Sequence, residues 1–231
     1  MSINPDDYVI EPDGTNYETL AKAFWEEMYK LPRSQNPIHG SSSNRSTNAM
    51  YGIHHYDKPP FEDVYFVGGT MGKVVTTPDP GYIVERKIPH GVIPSSARIF
   101  FSPVNNLVST HEFPELKTVS QLRAAASLRM DLVTTKEAIL DGAHFSPSKF
   151  YRVRSEQFSV AYHETEDLYG VGPAPDNAPV TAVADGFWLF LKPLPSNATH
   201  TLWLKAEIYF PSPEPRSSKF WINSTRTTWS N

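Results

Sequence analysis

The residues with the most chemical capability stand in one segment, IFFSPVNNLVSTHE, at positions 99–112. His111 beside Glu112 provides a proton donor and a proton acceptor that can work near neutral pH. Asn105 and Asn106 can each donate and accept hydrogen bonds, which suits them to hold a ligand oxygen. We therefore predict His111, Glu112 and Asn106 as catalytic residues and Asn105 as a ligand contact.

The apolar first half of this segment predicts where the polar half lies. ARIFF, residues 97–101, has the composition of a buried strand, and Pro103 is expected to end it. Residues 104–112 would then leave the sheet at its rim, where proteins commonly display binding groups. The alternative is that the two asparagines close a turn through their own backbone and that His111 and Glu112 lie in a solvated loop.

Histidine and tyrosine residues elsewhere give further candidates. Tyr51 and His54 lie in residues 33–60, which lack periodicity and are rich in turn formers, so a long loop is predicted there. His54 and His55 are adjacent, and adjacent side chains of an extended segment point to opposite sides. A three-ligand site that combines one of them with the His-Glu pair stays an alternative. No ligand spacing supports it, and we predict no metal site.

Aromatic residues make up 13% of the chain, which exceeds what a thin core needs. In TLWLKAEIYF, residues 201–210, Trp203 alternates with Leu202 and Leu204 and so lies on the opposite face of a strand. One face of that strand must be covered by a helix, a second sheet or a ligand. Core packing and an apolar pocket both stay open for these rings. We assign ligand binding to Trp188, Trp203, Tyr51 and His54.

Composition and missing motifs disfavour several classes of function. The chain has no cysteine, which removes disulfides, thiolate catalysis and cysteine-ligated metal sites. A net charge of −4 with scattered Lys and Arg is atypical of nucleic-acid binding. No apolar stretch approaches the roughly 20 residues that a membrane-spanning helix needs. There is no Gly-x-Ser-x-Gly elbow, and GGTMG lacks the ending of a phosphate loop, which disfavours a serine nucleophile and nucleotide-dependent chemistry. From these observations together we predict no cofactor, and neither nucleic acid nor a membrane as a partner.

Prolines and periodic patterns predict a β-rich fold with two helices. The chain contains 21 prolines, which break helices and favour short strands joined by turns. Apolar residues recur at helical spacing over about 15–31, where Thr15 and Glu18 form a capping-box pattern. A second such pattern at Thr118 begins a predicted helix over about 118–135. Both helices are expected to be amphipathic and to pack on a sheet.

Short apolar or alternating runs with turn residues between them predict the strands. The strongest are FWLFL at 187–191 and TLWLKAEIYF at 201–210. FYRVR at 150–154 and FSVAY at 158–162 lie close together in sequence and predict a hairpin. Together these elements predict a mainly β protein with a single domain over residues 1–231. Its fold class is an antiparallel β-sandwich, or jelly-roll-like fold, with two amphipathic helices packed on it.

Several short motifs occur in a characteristic order: FWEEMYKLP, VYFVGGTMG, IPHG, IFFSPVNN and VADGFWLFLKPLPSNATHTLWL. In this order they resemble a group of uncharacterised, mostly bacterial proteins of similar length. That group shares a Phe-Phe-x-Pro-Val-x-Asn strand and an Asp-Gly-Tyr/Phe-Trp strand followed by Leu-x-Pro-Leu-Pro. Its members usually carry an export signal and cysteines, neither of which appears in this sequence. The resemblance implies a β-sandwich and implies no activity.

Two functions from different classes stay open on this sequence. The first is a cofactor-independent enzyme of lyase, isomerase or cyclase type, or a pocket for a hydrophobic or aromatic small molecule, with His111 and Glu112 moving protons. The alternative is a non-catalytic β-sandwich module. Such a module would bind a glycan or a protein partner through aromatic residues and long loops.

The sequence contains few signals for cellular location or oligomeric state. The start, MSINPDDYVIEPDG, lacks the basic and apolar regions of a signal peptide, so a cytoplasmic location is expected. Asn-x-Ser/Thr triplets at Asn44, Asn197 and Asn223 matter only if the chain enters a secretory pathway, and chance explains them. The sequence leaves the oligomeric state open, a homodimer included.

Overall fold

The computed structural model describes residues 4–13, 15–32, 35–38, 53–69, 73–75, 84–164, 172–196, 198–211 and 219–231. Within them the helices are α1 (Asn16–Lys30) and α2 (Val119–Asp131). The strands, in chain order, are β1 (Ile53–Lys58), β2 (Phe61–Val67), β3 (Lys73–Val75), β4 (Val84–Lys87), β5 (Arg98–Ser109), β6 (Val133–Leu140), β7 (Ala143–His144), β8 (Tyr151–Arg154), β9 (Phe158–Val160), β10 (Val180–Leu191), β11 (Thr199–Phe210) and β12 (Lys219–Ser230).

The described strands form two sheets of six strands each. Sheet A has the order β1-β2-β5-β10-β8, and β9 also pairs with β10. Sheet B has the order β3-β12-β11-β6-β7, and β4 also pairs with β12. Pairing is antiparallel except between β2 and β5 and between β4 and β12. The predicted fold class is confirmed: the protein is mainly β, with mostly antiparallel strands in two packed sheets and two helices.

Both faces of sheet A are buried, and different elements cover them. On one face α1 packs its Phe24 into a core that contains Phe100 and Trp188. The other face meets sheet B through a core that contains Phe101 and Leu204. Helix α2 packs beside sheet B against β5 and β10. The layers are therefore α1, then sheet A, then sheet B together with α2.

The prediction that Pro103 ends the strand is wrong, because β5 continues to Ser109. Ser102 and Pro103 together lie opposite Trp188 of β10, where the register of the two strands shifts. A β-bulge of this kind tolerates proline, since the missing N–H is not needed for the hydrogen-bond ladder. The residues after the bulge therefore stay in the sheet instead of leaving at its rim.

The bulge also changes which face each residue of β5 presents. Before it, Phe101 lies in the core between the sheets and Phe100 in the core under α1. After it, Val104 and Val108 pack toward sheet B and α2, while Leu107 lies in the core under α1. Odd and even positions have exchanged faces, as one extra residue in a strand with a period of two requires.

Three other predicted elements are corrected. The second helix ends at Asp131 instead of 135, because Val133–Leu140 forms β6 and begins with β-branched residues that disfavour helix. The segments 150–154 and 158–162 do not form a hairpin, since β8 and β9 each pair with β10, one after the other along it. Ile53–Lys58, part of the predicted long loop, forms strand β1.

The helix ends differ in how they are capped. The predicted capping box of α2 is confirmed, because Thr118 and Gln121 bond reciprocally. The predicted cap of α1 is wrong, since the Thr15 side chain makes no cap bond and the Asp13 carboxylate accepts the Asn16 N–H at 2.8 Å instead. In the described part of the chain, no helix has the length and apolar character to span a membrane.

A buried ion pair connects α2 to sheet A. Asp185 lies within β10 with 2% exposure, and Arg152 of β8 donates to both of its carboxylate oxygens at 2.8 and 2.9 Å. Ser127 of α2 donates to the same carboxylate at 3.0 Å. Asp131, the last residue of α2, accepts from Arg152 at 2.6 Å. These bonds compensate for the water that a buried charge has lost.

We predict that Gly186→Ala destabilises the protein, because β5 approaches this position of β10 too closely for a side chain. A Cβ on Gly186 would lie 2.4 Å from the Cβ of Asn105 and 2.8 Å from its Cα. The expected loss in the free energy of unfolding is about 1–3 kcal/mol, the usual cost of overpacking, measured by chemical denaturation. In a double-mutant cycle, Asn105→Gly should restore part of that loss. Equal stability of Gly186→Ala and the parent protein would contradict this contact.

Candidate functional site

The outward face of sheet B carries a groove with a volume of about 510 Å³. We call it the Trp203 groove, and its lining residues are Ile139, Gly142, His144, Thr201, Trp203, Arg226 and Thr228. Leu202 and Leu204 alternate with Trp203 and lie in the core between the sheets, so the indole points away from that core. The volume is within the usual range for small-molecule sites.

Strand register explains where the groove lies. Four neighbouring strands each contribute one large residue to a row across the sheet: Arg226, Trp203, Ile139 and His144. The next row has Thr228 paired with Thr201, and Gly142 lies in the turn after β6. The large residues of the first row rise beside the small residues of the second row. We call the first row the wall of the groove and the second row its floor.

The indole of Trp203 is fixed by its neighbours on the same face. Its Nε1 donates to the hydroxyl of Ser224 at 3.0 Å. The Nζ of Lys205 and the Cζ of Arg226 lie over the ring, 4.3 and 4.7 Å from its centroid. These are cation–π distances, and they hold the ring together with the hydrogen bond. The aromatic wall is therefore positioned before any ligand arrives.

The polar side chains of the groove can all donate hydrogen bonds. The hydroxyls of Thr201 and Thr228 lie 3.2 Å apart on the floor. Arg226 and His144 stand at the two ends of the wall and add a guanidinium and an imidazole. The lining residues that the structure describes include no carboxylate. This set suits a ligand that is rich in acceptor oxygens.

A buried histidine holds the turn at one end of the groove. Asp141 and Gly142 make the turn between β6 and β7, and both have positive φ, 52° and 84°. The Asp141 carboxylate accepts the backbone N–H of Thr201 at 2.7 Å and lies 2.8 Å from Nδ1 of His200. The Nε2 of His200 lies 3.0 Å from the carbonyl oxygen of Pro195. Both ring nitrogens therefore face acceptors, which suits the charged imidazolium.

Burial of His200 by itself would lower its pKa, but the hydrogen bonds to Asp141 and Pro195 outweigh burial and raise the pKa above its ordinary value of 6.5. When it is protonated, the ring offsets the negative charge of the Asp141 carboxylate at that end of the groove. The same carboxylate also holds the turn through the Thr201 N–H.

We predict that the free energy of unfolding falls as pH rises through the raised pKa of His200. The unfolded chain titrates near 6.5, so the stabilisation is complete below that pH and is lost above the folded-state pKa. Urea denaturation at a series of pH values across this window measures the effect. His200→Gln should flatten the dependence, whereas His55→Gln, at a half-exposed position of β1, should leave it in place. Equal slopes for the parent protein and His200→Gln would contradict the role of this pair.

A second polar cluster lies beyond the end of β5. We call it the Glu112 cluster, and its residues are Tyr29, Ser109, His111, Glu112 and Tyr162. The hydroxyl of Tyr29 donates to Oε1 of Glu112 at 2.6 Å, and the hydroxyls of Ser109 and Tyr162 lie 2.7 Å apart. The Nε2 of His111 lies 3.1 Å from the carbonyl oxygen of Gly172, and its ring meets the Tyr162 ring at 4.7 Å.

Burial sets the chemistry of the Glu112 cluster. Tyr29 and Ser109 are fully buried, Tyr162 is nearly so, and the predicted catalytic pair His111 and Glu112 is half-buried. Burial and then the charge of Glu112 raise the pKa of Tyr162, so its hydroxyl stays protonated. The cluster therefore brings a carboxylate, an imidazole and neutral hydroxyls together at one place. The same bonds also satisfy polar groups at the edge of the core under α1.

The two asparagines lie apart from this cluster. Asn106 is 9% exposed, and its Nδ2 donates to the carbonyl oxygen of Ala126 in α2 at 3.1 Å. Asn105 lies on the opposite face of β5, beside Gly186. Both positions follow from the continuation of β5 past the bulge. The predicted placement of Asn105 and Asn106 at the rim of the sheet is therefore wrong.

The other predicted ligand contacts lie in different parts of the protein. Trp188 is 1% exposed and stacks on Phe100 at 4.7 Å, so it belongs to the core and not to an accessible site. His54 lies on β1 and its Nε2 is 3.6 Å from the Glu27 carboxylate of α1. This contact, opposed by burial and aided by the hydrogen bond from Lys58, lowers the pKa of Glu27 to about 2. Tyr51 lies outside the described residues.

Sequence reasoning singled out Trp203 but not the residues that line the groove beside it. In NSTRTTWS, residues 223–230, Arg226 and Thr228 alternate with the buried residues Thr225 and Thr227, which is a usable signal for an outward face. Ile139 and His144 carry no such signal, because their place in the groove depends on how β6 pairs with its neighbours. Tyr29 and Tyr162 were missed for the same reason, since they meet Glu112 only through tertiary packing.

Among the described residues, no group of three His, Asp or Glu side chains is arranged to hold a metal ion. Comparison of the chain with protein-family models, with curated proteins and with solved structures finds no match. The resemblance to the uncharacterised bacterial group stays a prediction.

Proposed function

We propose that this protein is a glycan-binding β-sandwich and that its ligand occupies the Trp203 groove. The supporting observation is a fixed indole wall beside a floor of threonine hydroxyls, in an open groove of about 510 Å³. This is the second of the two functions that the sequence leaves open.

The lining favours a sugar over a purely apolar ligand. The C–H face of a sugar ring packs on aromatic and aliphatic surface, which Trp203 and Ile139 offer, while sugar hydroxyls need polar partners. Thr201, Thr228 and Arg226 supply those partners. An apolar ligand would take water from the Arg226 guanidinium without replacing its hydrogen bonds, which costs free energy.

The position of the groove also favours a chain of sugars. The wall from Arg226 to His144 crosses four neighbouring strands, which spans about 14 Å at the usual strand spacing of about 4.8 Å. A site on the outward face of a sheet leaves the ligand free to extend beyond both ends of the wall. Oligosaccharides, which are longer than one ring, fit such a site.

We predict that Trp203→Ala lowers the affinity for an oligosaccharide by about 30-fold, the effect of removing one central aromatic contact. A glycan array first identifies a binding oligosaccharide, and isothermal titration calorimetry then gives the affinities. Tyr209→Ala is the matched control, because Tyr209 lies on the same face of β11 outside the groove. Thermal melting verifies that both variants fold.

Two results would contradict the proposal. One is an array without a binding oligosaccharide for the parent protein. The other is equal affinity of Trp203→Ala and Tyr209→Ala for the ligand that the array identifies.

A second candidate function is acid–base chemistry at the Glu112 cluster, the leading hypothesis from the sequence. The observation that favours it is the 2.6 Å hydrogen bond from Tyr29 to Glu112, beside the imidazole of His111. A half-buried carboxylate with a hydroxyl donor and a neighbouring imidazole can take a proton from a substrate and return it. Such a site would serve an isomerase, lyase or cyclase.

For this candidate we predict that Glu112→Gln abolishes turnover and leaves the melting temperature nearly unchanged, because the amide oxygen still accepts from Tyr29. Mass spectrometry of a metabolite mixture, incubated with the protein, detects the consumed substrate and its isomer or elimination product. Trp203→Ala is the control and should retain turnover. Turnover that survives Glu112→Gln, or that is missing from the parent protein, would exclude the catalytic role.

A further inference from the structure

We propose that the ligand of the Trp203 groove is an acidic saccharide, and that Arg226 binds its carboxylate by releasing Glu85. This inference rests on the proposed glycan-binding function and specifies its substrate class. The geometry that points to it is an arginine fixed over the indole, whose one acidic partner among the described residues is exposed to solvent.

Arg226 lines the groove and has donors without a partner among the described residues. Its Nη1 donates to Oε1 of Glu85 at 3.1 Å, and this is its single hydrogen bond among the described residues. A guanidinium has five N–H donors in a planar fork that matches a carboxylate with two parallel bonds. The remaining donors are thus available to a ligand that lies against the wall.

Glu85 is a weak partner that a ligand can replace. Its side chain is 69% exposed, and that of Arg226 is 37% exposed. Exposed ion pairs of this kind contribute little to stability, because water and salt screen the attraction between the two charges. Glu85 and Arg226 are register partners on β4 and β12, so the carboxylate stands at the end of the wall and can turn into solvent.

The guanidinium itself is held in place. It lies over the Trp203 indole at 4.7 Å, and the indole is anchored through Ser224. A guanidinium positioned by an aromatic ring loses little side-chain freedom when it binds a carboxylate. The same contact places the charge beside the surface on which a sugar ring would pack.

The charges around the groove favour an anion. Lys87 of β4 is exposed, is the register partner of Thr228 on the floor, and has no ion-pair partner among the described residues. Lys205 lies over the indole and is 3.7 Å from Glu137. The one carboxylate at the far end, Asp141, is occupied by His200 and by the Thr201 N–H.

A planar carboxylate, as in a uronic acid, fits the fork of Arg226 with two bonds. Sulfated sugars share the negative charge but present a tetrahedral group. An experiment must therefore distinguish carboxylated from sulfated sugars, and the affinity for neutral sugars is the reference.

The test measures affinities of the full-length protein by isothermal titration calorimetry. The probes are uronic acid oligosaccharides, their methyl esters, which keep the ring and remove the charge, and sulfated oligosaccharides of equal length. We expect the acids to bind at least about tenfold more tightly than the esters, as a charge-assisted pair of hydrogen bonds implies. We also expect the sulfated sugars to bind more weakly than the acids.

Variants of Arg226 and Glu85 test whether the ligand carboxylate replaces Glu85 on the guanidinium. Arg226→Gln should remove the preference for acids over esters, and Glu85→Gln should tighten acid binding about twofold to fivefold, because the competing carboxylate is gone. The matched controls are Arg123→Gln and Glu156→Gln, since these residues form another exposed Arg–Glu pair, away from the groove. They should change neither affinity.

The outcomes separate the two proposals. If esters bind as tightly as acids and Trp203→Ala removes both, the glycan-binding function stands and the acidic specificity is overturned. If sulfated sugars bind most tightly, the carboxylate assignment is overturned. If Glu85→Gln weakens acid binding, the exchange is overturned, and if no saccharide binds, both proposals fail.

Discussion

The structure depends on the burial of both faces of sheet A. β5 and β10 are apolar on both sides, so that Phe100 and Trp188 stack under α1 while Phe101 and Leu189 face sheet B. A strand that is buried on both faces carries apolar side chains at odd and even positions alike, so one extra residue exposes none of them. The bulge at Ser102 and Pro103 can therefore exchange the two faces of β5, close to the point where α2 joins sheet B as the covering layer.

Because sheet A occupies the middle layer, sheet B has one buried face and one open face. Its inward residues, such as Leu202 and Leu204, complete the core that sheet A begins. The outward positions are therefore free of packing constraints, and their residue types report on something other than stability. On that face a half-buried tryptophan, two cations and paired threonines stand together. The location of the candidate site is thus a consequence of the layer order.

Fold class was accessible from sequence because it depends on local patterns. The alternation in TLWLKAEIYF and the capping box at Thr118 are readable one segment at a time, and both are confirmed. The bulge could not be predicted from the sequence, since a proline after an apolar run is also typical of a strand end. The groove was only partly accessible: Trp203 follows from alternation, but its meeting with Arg226, Ile139 and His144 follows from strand pairing, which no single segment encodes.

The polar residues after the apolar run have a structural explanation, and this changes the weight of the functional hypotheses. Asn106 bonds to α2 and Glu112 accepts from Tyr29, so each provides a hydrogen bond at the edge of a core where an unpaired group would cost free energy. The Nδ2 of Asn106 and the carboxylate of Glu112 are thereby accounted for without any substrate, whereas the buried Oδ1 of Asn106 has no hydrogen-bond partner among the described residues. No such need explains Arg226 over Trp203, because an exposed guanidinium and a half-buried indole gain little stability for the sheet. Side chains that the fold does not require are better evidence for a ligand than side chains that it does.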